Sequence, residues 1–188
     1  MALTLHSMWR ATAPYRVRIG LSLKGLGYDY VGVDLAGGEA RRAPYTDLNR
    51  QGLVPALLPA EPWRRAIVRT MAEIVACDIH PLNNLRVLQA LGALGHPMGG
   101  PEQQAWGADW IARGFAALEP MIAEHGAGFA FGATPTIADC CLIPQVWSSS
   151  RFKVDLEPFP AIRAVYERAG EHPAFIAAHP ERQPDAVR

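Results

Sequence analysis

The feature that most constrains the fold is a single change in hydrophobic periodicity between residues 58 and 62. Before this point the apolar residues lie in short segments, such as "YDYVGVDL" at 28–35, that alternate with the period of two typical of a strand. We predict strands at 3–5, 28–35 and 52–58, with a helix between the first two that ends before Gly25. Strand, helix, strand, connection and strand within so short a span form an α/β unit.

After residue 62 the apolar residues recur at helical spacing, most clearly in the long segment 103–126. A capping box is predicted where Asp139 follows Thr136 by three residues before another apolar run. The other predicted helix starts are Pro62, which suits a first helical turn, Phe159 and Pro173. The sequence therefore predicts two domains, an α/β domain over 1–58 and an all-helical domain over 62–188.

The composition limits the kinds of partner. Lys+Arg and Asp+Glu both total 18, so no net charge attracts the protein to nucleic acid or to an anionic membrane, and any anion site must be local. The N-terminus lacks the pattern of a signal peptide and no apolar run is long enough to span a bilayer, which predicts a soluble cytoplasmic protein. Three cysteines, two of them adjacent, suit neither a disulfide framework nor a zinc site, and we expect reduced core residues and no metal.

A loop near the start of the chain carries candidate chemistry. In "SMWRATAPYRVRIGLSLKG" (7–25), arginines lie around a Thr-Ala-Pro turn that should start a helix, with Thr12 able to cap it and Pro14 near its first position. Unpaired N–H groups and the dipole at a helix start favour an anion or a thiolate. The loop has no cysteine, so a thiol would have to arrive with a cofactor. The alternative is that Thr12 only caps the helix and the arginines are solvated.

Several stretches carry a resemblance to a known family. The stretches "WRATAPYRVRIGLSLKG", "NRQGLVPALL", "CDIHPLNNLRVLQ" and "FGATPTIADCCLIPQVWSSSRFKVDLEPFP", with the tail "AAHPERQPDA", closely resemble the zeta class of glutathione transferases, the maleylacetoacetate and maleylpyruvate isomerase family. The resemblance covers nearly the whole chain, and "CDIHPLNN" with "RFKVDLEPFP" is specific to this class. It implies an N-terminal thioredoxin-like domain, a C-terminal helical domain, a homodimer and glutathione as cosubstrate.

The resemblance also implies an activity, the cis–trans isomerisation of maleylacetoacetate or maleylpyruvate in the breakdown of aromatic compounds. The family adds the glutathione thiolate to the double bond of a cis diketo acid, lets the resulting single bond rotate, and expels the thiolate. This chemistry needs a stabilised thiolate, cationic groups for the substrate carboxylates and polarisation of the developing enolate. Arg10, Arg113 and Arg151 match family arginines for these tasks, whereas without the match Arg113 and Arg151 would be interpreted as surface ion pairs.

Further positions match the family's glutathione contacts. Val54 precedes Pro55, the proline whose neighbouring backbone meets the cysteinyl part of glutathione in this family, and the Val54-Pro55 bond is a candidate cis peptide. His80, Asn84 and Arg86 resemble additional contacts, although His80 could equally be structural. Other matched or nearby residues are expected to be structural or on the surface: Asp139 as the family's capping aspartate, and Arg16 and Arg18.

Two departures from the family pattern bear on the function. Where relatives have a triplet such as Ser-Ser-Cys this chain has Ala11-Thr12-Ala13, so Thr12 is the expected thiolate partner, with backbone N–H groups helping. The chain also passes directly from "GLVPALL" to "PAEPWRRA", without the strand and the Gln-Ser-bearing helix of the family, a loss on the order of two dozen residues. The N-terminal domain is therefore expected to be shortened. The alternative function is a glutathione-transferase-like binding or structural protein with weakened or no catalysis.

Overall fold

The computed structural model describes residues 4–33 and 61–186. The chain divides into two compact units, Met1–Ala56 with Glu171–Arg188, and Leu57–Gly170. The predicted third strand at 52–58 lies outside the described residues. None of the helices in the described ranges is both long enough and apolar enough to cross a membrane.

The first unit contains a parallel pair of strands joined by a helix. Strand β1 (Thr4–Ser7) pairs with β2 (Asp29–Gly32), and α1 (Thr12–Leu23) connects them. The register aligns Thr4 with Asp29 and Ser7 with Gly32. This confirms the predicted strand, loop, helix and strand order, because a parallel pair requires a crossover connection and the helical segment supplies it.

The C-terminal tail belongs to this first unit. Helix α7 (Pro173–Ala178), the last of the chain, packs against α1, and a 3₁₀ turn (Pro180–Arg182) follows it. Tyr15 and Ile19 of α1 are buried, as is Phe175 of α7. The tail is therefore grouped in space with the α/β unit, while the sequence boundaries 1–58 and 62–188 stay a prediction.

The second unit is helical, as the periodicity predicts. Its α-helices are α2 (Pro62–Glu73), α3 (Leu85–Ala93), α4 (Pro101–His125), α5 (Ile137–Ser149) and α6 (Pro160–Glu171). A π-helical stretch (Ile74–Ile79) and a 3₁₀ turn (His80–Leu82) follow α2, and another 3₁₀ turn (Ser150–Phe152) follows α5. The core is built around α5, which is buried along most of its length and packs against α2.

Candidate functional site

The first loop ends at the N-terminus of α1. Ala11 is the N-cap residue, with an extended backbone at φ −77° and ψ 132°, and its N–H donates to the Met8 carbonyl at 3.1 Å. The expectation that Thr12 caps the helix is wrong, because Thr12 is already the first helical residue and the cap position carries no side-chain hydrogen bond. The helix start therefore lacks the side-chain oxygen that usually satisfies its first N–H groups.

This helix start has the electrostatic character of an anion site. The first intrahelical donor is Tyr15, whose N–H reaches the Ala11 carbonyl at 3.1 Å, and Pro14 has no N–H. The backbone N–H groups of Thr12 and Ala13 therefore precede the hydrogen-bonded ladder, at the positive end of the helix dipole. The first turn of α1 contains no acidic side chain, and Thr12 is only 7% exposed. A hydroxyl and two amides are thus placed where negative charge is favoured.

The three arginines around the loop have different environments. Arg10 is exposed, and Arg16 is half-buried. Arg18 is 0% exposed, so it is structural rather than a surface charge. Its guanidinium donates through Nε to the Ala178 carbonyl at 3.0 Å, through Nη1 to Ser7 Oγ at 3.0 Å and through Nη2 to the Trp9 carbonyl at 2.8 Å.

A carboxylate from the tail meets the same segment. Asp185 Oδ2 accepts from the Trp9 N–H at 3.0 Å, and Asp185 Oδ1 accepts from the Tyr30 hydroxyl at 2.6 Å. Burial and the hydrogen bond to Asp185 raise the pKa of Tyr30 to about 12, so the phenol remains a donor at neutral pH. Burial lowers the pKa of Arg18, and the nearby tyrosines and Asp185 partly offset that effect.

In the second unit, the predicted glutathione contacts follow the π-helical stretch Ile74–Ile79. Gly114 of α4 allows this stretch to approach α4 closely, because a Cβ at Gly114 would collide with the Ile79 side chain. His80, half-buried, begins the 3₁₀ turn that follows. Asn84 is the N-cap of α3, where its Oδ1 accepts from the N–H groups of Arg86 and Val87 at 3.0 and 3.2 Å. Its amide therefore has a clear structural task, and its contact with glutathione stays a prediction.

The two arginines predicted to bind carboxylates also lie in this unit. The Arg113 side chain is 67% exposed, its Nε pairs with Asp109 Oδ2 at 2.9 Å, and its guanidinium lies 5.4 Å from the Trp110 ring. Arg151 is exposed in the 3₁₀ turn after α5, with its guanidinium 5.9 Å from the Phe152 ring. The ion pair matches the alternative interpretation of Arg113, and the carboxylate-binding roles stay predictions.

The capping box before α5 is confirmed. Asp139 Oδ2 accepts from the Thr136 N–H at 2.7 Å, and Asp139 Oδ1 accepts from the Ala130 N–H, also at 2.7 Å. Asp139 thus has the structural role that was expected. The cysteines are free, but Cys77 is exposed on the π-helical stretch, so the expectation of three core cysteines is wrong at this position.

The structure leaves two predicted glutathione contacts undescribed and shows a set of contacts around Trp9 that was not predicted. Val54 and Pro55 lie outside the described residues. The contacts of Arg18, Tyr30 and Asp185 around Trp9 were missed by sequence reasoning. The only available signal was the tail "AAHPERQPDA", which carried part of the family resemblance without showing what it contacts.

Comparison with known proteins agrees with this architecture. Residues 104–168 match the family described as glutathione S-transferase, C-terminal domain. The chain is 41% identical to a maleylacetoacetate isomerase of Pseudomonas aeruginosa, over 96% of this chain and 97% of the relative. It is 39% identical to the holo structure of a maleylpyruvate isomerase described as a bacterial zeta-class glutathione transferase, with a TM-score of 0.91 over 98% of this chain and 100% of that one.

A further solved structure has a ligand in its active site. The maleylacetoacetate isomerase of Anaeromyxobacter dehalogenans, described with bound dicarboxyethyl glutathione and citrate in the active site, is 39% identical, with a TM-score of 0.87 over 100% of this chain and 98% of that one. These matches define the class as glutathione transferases. Within that class, the chain belongs to the zeta-class family of maleylacetoacetate and maleylpyruvate isomerases.

The same comparison bears on the segment that the sequence lacks. The alignment with the Pseudomonas aeruginosa isomerase has 212 positions and covers 96% of the 188 residues of this chain, about 180 residues, so about 32 positions of the relative have no counterpart here. The shortfall has the size of the strand and helix that the family pattern places after residue 58.

Proposed function

We propose that this chain catalyses the glutathione-dependent cis–trans isomerisation of maleylacetoacetate or maleylpyruvate. The observation that carries the proposal is the 41% identity, over nearly the full length of both chains, to a maleylacetoacetate isomerase. The start of α1 supports it, since this helix presents a buried hydroxyl and positive dipole where the family pattern places the glutathione sulfur.

The residues present fit an anionic sulfur ligand. The Thr12 hydroxyl and the first-turn amides of α1 are donors, and the first turn has no carboxylate to repel a thiolate. A thiol with a pKa of about 8.5 is mostly protonated at neutral pH, and a helix N-terminus with hydroxyl or cationic neighbours lowers that pKa. When bound, glutathione would supply the thiolate that adds to the substrate's double bond and leaves after rotation.

The arginines would perform the remaining tasks. Arg10, which is exposed in the first loop, would bind a substrate carboxylate, because a guanidinium can donate two parallel hydrogen bonds to that group. Arg113 and Arg151 would bind carboxylates in the same way. The ion pair between Arg113 and Asp109 does not prevent this, since an exposed pair contributes only about 0.2–1 kcal/mol and exchanges readily.

The proposal is tested by incubating the purified protein with maleylpyruvate, with and without glutathione, and following the loss of enol absorbance. We expect a rate above that of glutathione alone, and no such rate would contradict the proposal. Thr12→Val should lower kcat/KM by about a hundredfold, because it removes one hydrogen-bond donor that stabilises negative charge. Thr12→Ser keeps the hydroxyl and should retain most of the activity. The matched control is Thr70→Val, which removes an exposed hydroxyl that donates to the Ala66 carbonyl within α2.

A second candidate, a binding or structural protein without turnover, is favoured by Ala11 and by the missing segment. Calorimetric titration with glutathione separates the two. Micromolar binding together with isomerisation supports the enzyme, whereas binding without isomerisation supports the second candidate. Ala11→Ser sharpens the test, because it restores the first hydroxyl of the family triplet and should raise the rate if the missing serine limits catalysis.

We also propose that the protein is a homodimer located in the cytoplasm, as the family resemblance and the sequence predict. Light scattering on the purified protein should give twice the chain mass of 20.5 kDa. A mass equal to that of one chain would contradict the dimer.

A further inference from the structure

The peptide groups on either side of Trp9 are held by two oppositely charged side chains. The Trp9 N–H donates to Asp185 at 3.0 Å, and the Trp9 carbonyl accepts from Arg18 at 2.8 Å. Trp9 directly precedes Arg10 and the helix start, so these bonds fix the point at which the loop leaves β1. Hydrogen bonds that involve a charged partner are shorter and stronger than neutral ones.

Both side chains are themselves fixed by other parts of the unit. The second carboxylate oxygen of Asp185 accepts from Tyr30 of β2 at 2.6 Å, and the Asp185 Cβ lies 3.6 Å from where a Cβ at Gly32 would be. Arg18 also bonds Ser7 at the end of β1 and the Ala178 carbonyl at the end of α7. Trp9 is therefore tied to the sheet, to α1 and to the tail.

We propose that Asp185, together with Arg18, is a positioning residue for catalysis: the tail carboxylate fixes Trp9 so that Arg10 and Thr12 are held at the glutathione sulfur and the substrate. The inference rests on the proposed function. Neither Asp185 nor Arg18 touches the reacting atoms, and both act through the backbone of the loop. A displacement of about 1 Å in such a loop is enough to reduce turnover by about a hundredfold.

The variant Asp185→Asn tests the proposal at nearly constant shape. It removes the negative charge that strengthens both hydrogen bonds. The amide also has one acceptor oxygen in place of the two carboxylate oxygens that accept from Trp9 and Tyr30. We expect kcat/KM to fall between about tenfold and a hundredfold, and the pKa of the bound glutathione thiol to rise toward that of the free thiol. The matched control is Glu181→Gln, which makes the same charge change at an exposed position four residues earlier in the tail.

Amide hydrogen exchange provides a readout that is independent of turnover. In Asp185→Asn, the amides of Trp9 and Ala11, which donate to Asp185 and to the Met8 carbonyl, should exchange faster than in the wild type, and Glu181→Gln should leave them unchanged. Tyr30→Phe removes the hydrogen bonds of the Tyr30 hydroxyl to Asp185 and to Ser7 and leaves the Trp9 bond. It should give a smaller effect of the same kind and serves if Asp185→Asn does not fold.

The outcomes distinguish this inference from the proposed function. Equal exchange in Asp185→Asn and Glu181→Gln overturns the inference, and faster exchange with an unchanged thiol pKa also overturns it, because the role is then only structural. Faster exchange with a raised thiol pKa supports it. If the wild-type protein binds glutathione but isomerises neither diketo acid, the proposed function is contradicted. The positioning role of Asp185 is then decided by the amide exchange rates and the thiol pKa.

Discussion

The two units each bury a charged side chain completely, and they satisfy it in different ways. Asp139 in the second unit accepts hydrogen bonds from groups within nine residues along the chain. Arg18 in the first unit donates to groups that lie 9, 11 and 160 residues away. The comparison shows that one buried charge completes a local motif, whereas the other joins segments that only the tertiary fold brings together.

The physical requirement is the same in both cases. Burial lowers the pKa of Arg18 and raises the pKa of Asp139, because removal from water disfavours each charged form. A buried charge is tolerated when its hydrogen-bonding capacity is used, and removing one partner leaves the others unsatisfied. If the long-range arrangement matters more for stability than the local one, removing Arg18 should cost more than removing Asp139.

Arg18→Met should have the largest effect on stability. The substitution leaves the Ser7 hydroxyl and the carbonyls of Trp9 and Ala178 without their buried donor, and since each unsatisfied group costs about 1–3 kcal/mol we expect a loss of about 3–5 kcal/mol in the free energy of unfolding. Urea denaturation measures it. The exposed Arg182→Met is the control and should change the free energy by less than about 0.5 kcal/mol.

Asp139→Ala should cost less, about 2–3 kcal/mol, through the lost cap and the unsatisfied N–H groups of Ala130 and Thr136. Asp139→Asn, which keeps one acceptor oxygen, should fall between the wild type and Asp139→Ala. The same urea titration gives both values. A cost for Asp139→Ala above that of Arg18→Met would show that the local motif contributes more to stability than the long-range one.

Gln145 is the opposite case, a buried polar side chain whose hydrogen-bonding capacity is not used among the described residues. It is fully buried in α5, and neither atom of its side-chain amide has a hydrogen-bond partner among the described residues. Gln145→Met should therefore raise the free energy of unfolding by about 1 kcal/mol, since an unsatisfied polar group is removed at similar volume. Gln103→Met is the matched control: it should destabilise, because its amide donates to Leu88 and His96 carbonyls at 2.6 and 2.8 Å. A loss of stability in Gln145→Met would show that its amide has a partner.

The smallest effect is expected at Tyr30, and its size depends on pH. Its pKa is raised from 10 to about 12 in the folded protein, so its contribution to stability is fully present below about pH 10 and is lost as the pH rises toward 12. Tyr30→Phe should flatten the fall in the free energy of unfolding over this window. Chemical denaturation on both sides of pH 10 measures the slope, and an unchanged slope in Tyr30→Phe would contradict the assignment.

The parts that the sequence predicts correctly are those with short-range causes. The helix at Ile137–Ser149 begins at a capping box whose two partners are three residues apart, and the crossover helix α1 follows from the periodicity between two strands. The cap at Ala11 was not predicted, because a threonine is a better cap than an alanine by local preference. The roles of Arg18 and Asp185 could not be predicted, since their partners are up to 160 and 176 residues away.

The exposure of Cys77 has a similar explanation. The expectation of a core residue rested on the number and adjacency of the cysteines, which carry no information on the direction of one side chain, and Cys77 is exposed on the π-helical stretch. The close approach of Ile79 to Gly114 accompanies this irregularity, and it links two stretches that lie far apart in the sequence. A pattern along one segment does not contain that information.

If the start of α1 stabilises a glutathione thiolate, as the proposed function requires, the ionisation of the thiol in the complex should show it. Ultraviolet absorbance of the thiolate is followed against pH for wild type and Thr12→Val, each saturated with glutathione. We expect a thiol pKa in the wild-type complex at least about one unit below the free value of about 8.5, and a return toward that value in Thr12→Val. Bound glutathione that titrates like free glutathione in the wild type would contradict it.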